Sequence, residues 1–264
     1  MSNTPVFLSI AGSDCSAGAG LQADLKTGFA LGCYPLTAVT CVVNEVPGLV
    51  EGIVAMEPDF VADQVRLCLK TFPVKAIKTG MLYSPEIVRA CCAALEGFQG
   101  PIVVDPVMIA TAGEALMQQA AIQVYEEVLL PRTTLLTPNK DELETLLGAT
   151  VCTIEELTEA AVELCRRYNC AILAKGGHVA GSTCTDILVE SPGAAPKRWS
   201  HPRITGISTH GTGCTLSSAI AAWLAHGYSL EKSVERGLDY IAKAIASSHN
   251  LGGVHAVNHQ YIDG

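Results

Sequence analysis

Val6-Phe7-Leu8-Ser9-Ile10-Ala11-Gly12-Ser13-Asp14 is followed, after five residues, by Gly20-Leu21-Gln22-Ala23-Asp24-Leu25-Lys26-Thr27-Gly28-Phe29-Ala30-Leu31. Residues 6–11 form a short, mostly apolar run that stops at Gly-Ser-Asp, which reads as a buried strand. Residues 20–31 carry helical spacing, with Leu21, Leu25, Phe29 and Ala30 on one side. The same alternation recurs down the chain. Strands are expected over residues 37–43, 50–55, 74–78, 102–105, 134–136 and 171–174. Helices are expected from Pro58 with Val61, Val65, Leu67 and Leu69, then over residues 85–95, 120–130, 154–168, 213–225 and 230–248. Asn139 stands where it can cap a helix that contains Glu142. Residues 185–189 and 197–200 read as an antiparallel pair around Pro192-Gly193. Repeated strand–helix units predict a three-layer α/β sandwich, a mostly parallel central sheet covered on both faces. No internal repeat or linker breaks the pattern, so one domain over residues 1–264 is expected.

Composition narrows the classes of function. Of 264 residues, 49% are hydrophobic and 16% charged, enough for a large core. A net charge of −9 repels phosphate backbones and anionic lipid, so neither nucleic acid nor a membrane is an expected partner. Residues 1–5 carry no basic leader, and the apolar run that follows is too short for a signal sequence; a cytoplasmic protein is expected. The cysteines number 11, an odd count without a Cys-x-x-Cys pair, which argues against a disulfide framework and against zinc. Cys41, Cys68, Cys165 and Cys170 stand in apolar surroundings and read as small hydrophobes.

In open parallel sheets ligands bind beyond the C-terminal strand ends. The polar motifs fall there: Gly12-Ser13-Asp14, Thr79-Gly80-Met81, Asp105-Pro106, Thr137-Pro138-Asn139 and Lys175-Gly176-Gly177-His178. The strongest is Thr209-His210-Gly211-Thr212-Gly213-Cys214-Thr215-Leu216, set before an apolar helix. Its glycines let backbone amides approach an anion, and the helix dipole favours negative charge. Cys214, at the helix start, is expected to have a lowered pKa and to serve as base or nucleophile. A plain glycine-rich loop with a buried cysteine is the competing reading. Asp105 and Glu142 end or follow different strands and can together hold magnesium through water; a first-turn helix acid is the simpler account of Glu142. Lys175 can reach a phosphate while the adjacent glycines admit a nucleotide. Gly18-Ala19-Gly20 fails the dinucleotide fingerprint, because Leu21-Gln22-Ala23 supplies no third glycine, and it lacks the lysine of a Walker loop.

These pieces in this order resemble the ribokinase-like superfamily. Within it they are similar to the hydroxymethylpyrimidine/phosphomethylpyrimidine kinases of thiamine biosynthesis, over about residues 5–250. The matching motifs are Ser9–Asp14, Gly18-Ala19-Gly20-Leu21-Gln22-Ala23-Asp24-Leu25-Lys26-Thr27, Lys78-Thr79-Gly80-Met81-Leu82, Asp105-Pro106-Val107-Met108, Thr137-Pro138-Asn139 with Glu142, Lys175-Gly176-Gly177-His178 and the cysteine-bearing loop. The resemblance implies ATP and Mg2+ as cofactors and a homodimer. Gly211, Thr212, Gly213 and Cys214 would form the anion hole, with Cys214 as general base. Asp105 and Glu142 would organise the metal. Lys175, Asn139, Gly177 and Thr209 would contact the nucleotide. Asp14, Gly18 (or Ala17), Glu45, Met81 and Val107 would line the pocket for the pyrimidine. Two departures stand out. Val46-Pro47 replaces the Asn-Thr that usually follows Glu45, and Thr111-Ala112-Gly113 replaces Lys-Ser-Gly.

Three other readings compete. A pyridoxal kinase of the same branch shares the cysteine loop. A catalytically idle vitamer-binding protein would have no need of Asp105, Glu142, Lys175 and Cys214. An NAD-dependent oxidoreductase lacks both the third glycine and the acid expected after the second strand.

Overall fold

The computed structural model describes residues 4–108, 119–179, 181–204 and 210–260. The elements run β1 (Val6–Asp14), α1 (Gly20–Ala30), β2 (Tyr34–Val46), β3 (Leu49–Ala55), α2 (Pro58–Thr71), β4 (Val74–Thr79), α3 (Pro85–Ala94), β5 (Ile102–Val104) and α4 (Gln119–Val124). They continue β6 (Leu135–Leu136), α5 (Lys140–Leu147), α6 (Ile154–Tyr168), β7 (Ala171–Ala174), β8 (Thr183–Val189), β9 (Lys197–Pro202), α7 (Thr212–Ala225), α8 (Leu230–Ala246), β10 (His249–Leu251) and β11 (Val254–Ala256).

Among the described residues, nine strands form one sheet in the order β3-β2-β1-β4-β5-β6-β7-β8-β9. The six strands β2, β1, β4, β5, β6 and β7 run parallel to one another; β3, β8 and β9 pair antiparallel at the two edges. The three-layer expectation holds. Side-chain alternation along each strand divides the core in two. Val6, Leu8 and Ile10 of β1 face a cluster with Val61, Ile87, Leu143 and Leu157 from α2, α3, α5 and α6. Phe7 faces the opposite cluster, built on Leu216, Ile220 and Leu238 from α7 and α8. Ala76 of β4 belongs to that second face, which therefore also receives Lys78, two residues on.

Local chemistry sets the helix boundaries. Ser84 caps α3 by accepting from the Ile87 amide at 3.3 Å, with Pro85 at the first position. Thr153 and Glu156 form a capping box on α6. The helix expected over residues 120–130 keeps its α form only to Val124. A π turn (Tyr125–Leu129) and a 3-10 turn (Leu130–Arg132) follow. Pro131 has no amide hydrogen to continue the ladder, and the Thr133 hydroxyl donates to the Leu129 carbonyl at 3.0 Å.

β2 extends beyond its expected limits. It pairs with β1 as far as Val43 and beyond that only with β3, so residues 44–50 form a hairpin tip past the end of β1. The short hairpin of β10 and β11 escaped the hydrophobic pattern because its residues are mostly exposed.

Candidate active site

The first turn of α7 lies beside the tips of β1, β5 and β7. Gly211 caps the helix in the left-handed region, at φ 80°, and a Cβ there would lie 1.8 Å from the Gly18 carbonyl oxygen. Glycine is therefore demanded at 211 by backbone sign and by contact with the β1–α1 loop. The first helical bond of α7 runs from the Thr215 amide to the Gly211 carbonyl, at 2.9 Å. The amides of Gly213 and Cys214 precede it and fall outside the helix ladder.

Lys175 approaches this turn from β7. A Cβ on Gly213 would meet its Nζ at 3.2 Å and Asp105 Oδ2 at 3.6 Å. The ammonium lies 3.1 Å from Asp105 Oδ1 and 4.0 Å from Glu142 Oε2. Asp105 also accepts from the hydroxyls of Ser217, at 3.2 Å, and Thr137, at 3.3 Å. Glu142 does two jobs. Its carboxylate accepts from the Asn139 amide at 2.8 Å, its amide donates to the Asn139 side chain at 3.0 Å, and it still faces Lys175. The capping and metal-site readings of Glu142 are thus compatible.

Electrostatics set these groups apart. Burial works to raise the Asp105 carboxyl, but Lys175 and Lys78 outweigh it and hold it below its usual value. Burial dominates at Glu142, with Asp105 adding repulsion, and its carboxyl is raised. Cys214 reverses its sequence-based expectation. Removal from water, with Asp105 and Asp24 nearby, pushes the thiol up to about 12 in spite of Lys78 and the Gly20 amide. Placement at a helix start does not lower a thiol when burial and two carboxylates act against it.

Asp14, 1% exposed, faces into its own loop. Its oxygens accept from the amides of Ser16 (2.7 Å), Gly18 (3.0 Å) and Ala19 (2.7 Å), and from the Ser16 hydroxyl (3.0 Å). His210 Nε2 lies 3.0 Å away. These bonds fix a loop in which Ala17 sits at φ 60°, and they tie it to the segment preceding α7. Burial opposes ionisation of Asp14, yet His210, Ala19 and Ser16 hold its pKa at about 2, against an ordinary 3.8. A depressed carboxyl stabilises the fold above its ordinary pKa and loses that contribution as pH falls through the folded value. Asp14→Asn is accordingly expected to cost about 2 kcal/mol at neutral pH. In urea unfolding followed downward in pH, the difference from wild type should start to close below 3.8.

The remaining pocket candidates gather close by. Cys41, Val43 and Met81 form a small apolar cluster, with Val50, Ile53, Tyr83 and Val107 packed on it. Glu45, partly buried, stands on the β2–β3 hairpin; burial and then Asp14 raise its pKa, and His210 partly offsets them. Gly18 packs against His210. The glycines after Lys175 divide: a Cβ on Gly176 would strike the Thr185 carbonyl at 2.0 Å, a demand of the fold, whereas Gly177 faces open space. Thr209, Thr111, Ala112 and Gly113 lie outside the described residues.

Lys78, Asp24 and His259 have no role in the sequence-based expectations. Lys78 and Asp24 form a pair with both side chains fully buried, at 2.9 Å. The C-terminal segment brings His259 Nε2 to 3.0 Å from the Thr215 hydroxyl, one residue past Cys214. A charged residue inside an apolar strand was the available signal for Lys78; nothing in the pattern signalled His259.

A model of the phosphomethylpyrimidine kinase family matches residues 14–259. The chain is 43% identical, over 96% of its length, to a thiamine biosynthesis bifunctional protein of Geobacter sulfurreducens, and spans 51% of that longer protein. It is 38% identical to a hydroxymethylpyrimidine/phosphomethylpyrimidine kinase of Streptomyces coelicolor, covering 94% of this chain and 91% of that one. An ADP complex of Bacillus subtilis pyridoxal kinase superposes with a TM-score of 0.89 at 29% identity, covering 97% of this chain and 98% of the other.

Proposed function

Because this chain belongs to the phosphomethylpyrimidine kinase family, we propose that it transfers the γ-phosphoryl group of ATP to the hydroxymethyl group of an aminopyrimidine, hydroxymethylpyrimidine, and then to the monophosphate so formed, as a step of thiamine biosynthesis. The observation that carries the reading is the convergence of Lys175, Asp105 and Glu142 on the first turn of α7, beside Cys214 and the apolar cluster around Met81.

The substrate's flat ring suits the apolar floor of Val43, Met81 and Val107, and Glu45 offers an acceptor to its amino group. Asp14 acts one step back, by holding the Gly18 loop and His210 in register. Cys214 is the proton acceptor for the hydroxyl, which is otherwise a weak nucleophile. Lys175 and the amides of Gly213 and Cys214 face the charge that develops on the transferred group. Gly177 leaves room for the nucleotide near Asn139.

The donor set fits magnesium. Asp105 and Glu142 are hard oxygen donors that already bracket a cation, the Lys175 ammonium. No group of three or more His, Cys, Asp or Glu forms a metal site among the described residues. Magnesium is commonly held by one or two carboxylates and completes its shell with water and phosphate oxygens. When bound, it would neutralise phosphate charge.

A pyridoxal kinase activity is the second reading, favoured by the pyridoxal kinase superposition. Incubation with ATP, magnesium and either hydroxymethylpyrimidine, its monophosphate or pyridoxal decides between them. Mono- and diphosphate products from the pyrimidines, with slower turnover of pyridoxal, are expected. Phosphorylation of pyridoxal alone would reject the pyrimidine assignment.

A further inference from the structure

The buried pair of Lys78 and Asp24 takes no part in the scheme above. Both side chains are fully buried, a costly arrangement that a pair of apolar residues would often improve upon. Lys78 Nζ lies 2.9 and 3.0 Å from the two Asp24 oxygens. Asp24 also accepts from the hydroxyls of Ser9, at 2.5 Å, and Ser218, at 2.6 Å. Ser218 is one helical turn beyond Cys214, on the same face of α7. The network therefore joins β1, α1, β4 and α7 directly beneath Cys214. The Cys214 sulfur accepts from the Gly20 amide, at the start of the helix that carries Asp24. The charged groups facing this sulfur are the lysines Lys78 and Lys175, which favour a thiolate, and the carboxylates Asp105 and Asp24, which oppose it; Lys78 is the leading cation.

We infer that Lys78, locked in place by Asp24, is a positioning residue for the transfer: its fixed positive charge lets the Cys214 sulfur carry negative charge and so accept the hydroxyl proton of the substrate. The catalytic consequence rests on the role proposed for Cys214. The thiol first loses its proton to solvent. In the transfer, the substrate O–H bond breaks and its proton joins sulfur. The oxygen bonds to the γ-phosphorus, and the phosphorus–oxygen bond to ADP breaks with its electron pair left on ADP. Lys78 keeps its own proton throughout.

The test reads the thiolate directly. Wild type, Lys78→Met, Asp24→Asn and the double variant are treated with iodoacetamide at pH 8, and labelling of each cysteine is followed by peptide mass spectrometry. Cys152, exposed and outside the Lys78–Asp24 network, is the internal standard, and protection of buried Cys165 reports that the fold is intact. Lys78→Met is expected to slow Cys214 labelling about tenfold or more, one pKa unit or above. Asp24→Asn, which frees the lysine of its counter-charge, is expected to speed it. A purely structural pair would move both variants the same way. Unchanged or same-signed rates in folded variants overturn the inference. If a single variant loses Cys165 protection, the double variant carries the test. Slower labelling is required there too, because Lys78 acts on the sulfur more strongly than Asp24. Phosphoryl transfer measured on the same samples separates the two claims. Slowed labelling with undiminished turnover would keep the Lys78–Cys214 link and remove Cys214 from proton transfer.

Discussion

Cys214→Ala is expected to lower kcat by about 100- to 10,000-fold, the usual worth of a positioned general base, with affinity for a non-hydrolysable ATP analogue held within about threefold. The reason for the split is geometric. The amides of the α7 turn and Lys175, which would meet the phosphates, do not depend on the Cys214 side chain, whereas the carboxylates of Asp105 and Glu142 beside that turn are already engaged by Lys175, which leaves Cys214 as the proposed proton acceptor. Because the thiol titrates up at about 12, only a small fraction is ionised at neutral pH. Turnover of the wild type should therefore climb with pH from neutrality into the alkaline range, and Cys214→Ala should flatten that climb. Cys214→Ser should behave like the alanine variant, since a hydroxyl ionises less readily than a thiol. Steady-state kinetics with calorimetric nucleotide binding check both halves. Turnover equal to wild type in Cys214→Ala would falsify the base role and leave the anion site standing.

The sign of that titration shows where sequence reading stops. Position 214 at a helix start was legible from Gly211-Thr212-Gly213, and the dipole argument from it was sound as far as it went. The opposing influences are burial first and then Asp105 and Asp24, which are 109 and 190 residues away in the chain and meet Cys214 only once α1, β5 and α7 are assembled. Lys78 illustrates the same limit. It was read as the last residue of a strand; strand parity sends it to the α7 face, but which helix covers that face is a tertiary fact. The strand tips were legible because apolar runs end at Gly, Asp, Thr and Lys for a local reason: the sheet's buried section stops there. The Asn139 cap was legible too, because Asn139 and Glu142 stand only three positions apart. Asp14 was read as a ligand group. In the structure it is consumed by four hydrogen bonds within residues 16–19, because a carboxylate at the start of a tight loop meets that loop's amides first.

Lys175→Met carries the other large expectation, a loss of about 100- to 1,000-fold in kcat together with a raised KM for ATP. Lys175 is held against Asp105 and Glu142 with its ammonium 3.2 Å from where a Cβ on Gly213 would stand, so it meets the same turn that would receive the transferred group. An arginine is not expected to restore activity. Its planar, five-donor head is wider than an ammonium, and the slot is closed by Gly213 on one side and by the capping box of α5 on the other. The substitution has a second, independent readout. Without the ammonium, two buried carboxylates face one another, and breaking such a pair costs about 3–5 kcal/mol. Magnesium should make good part of that cost by taking the place of the lost cation, so its addition is expected to raise the melting temperature of Lys175→Met more than that of the wild type, nucleotide being absent from both. Equal responses would detach Asp105 and Glu142 from the metal even if the kinetic loss were found.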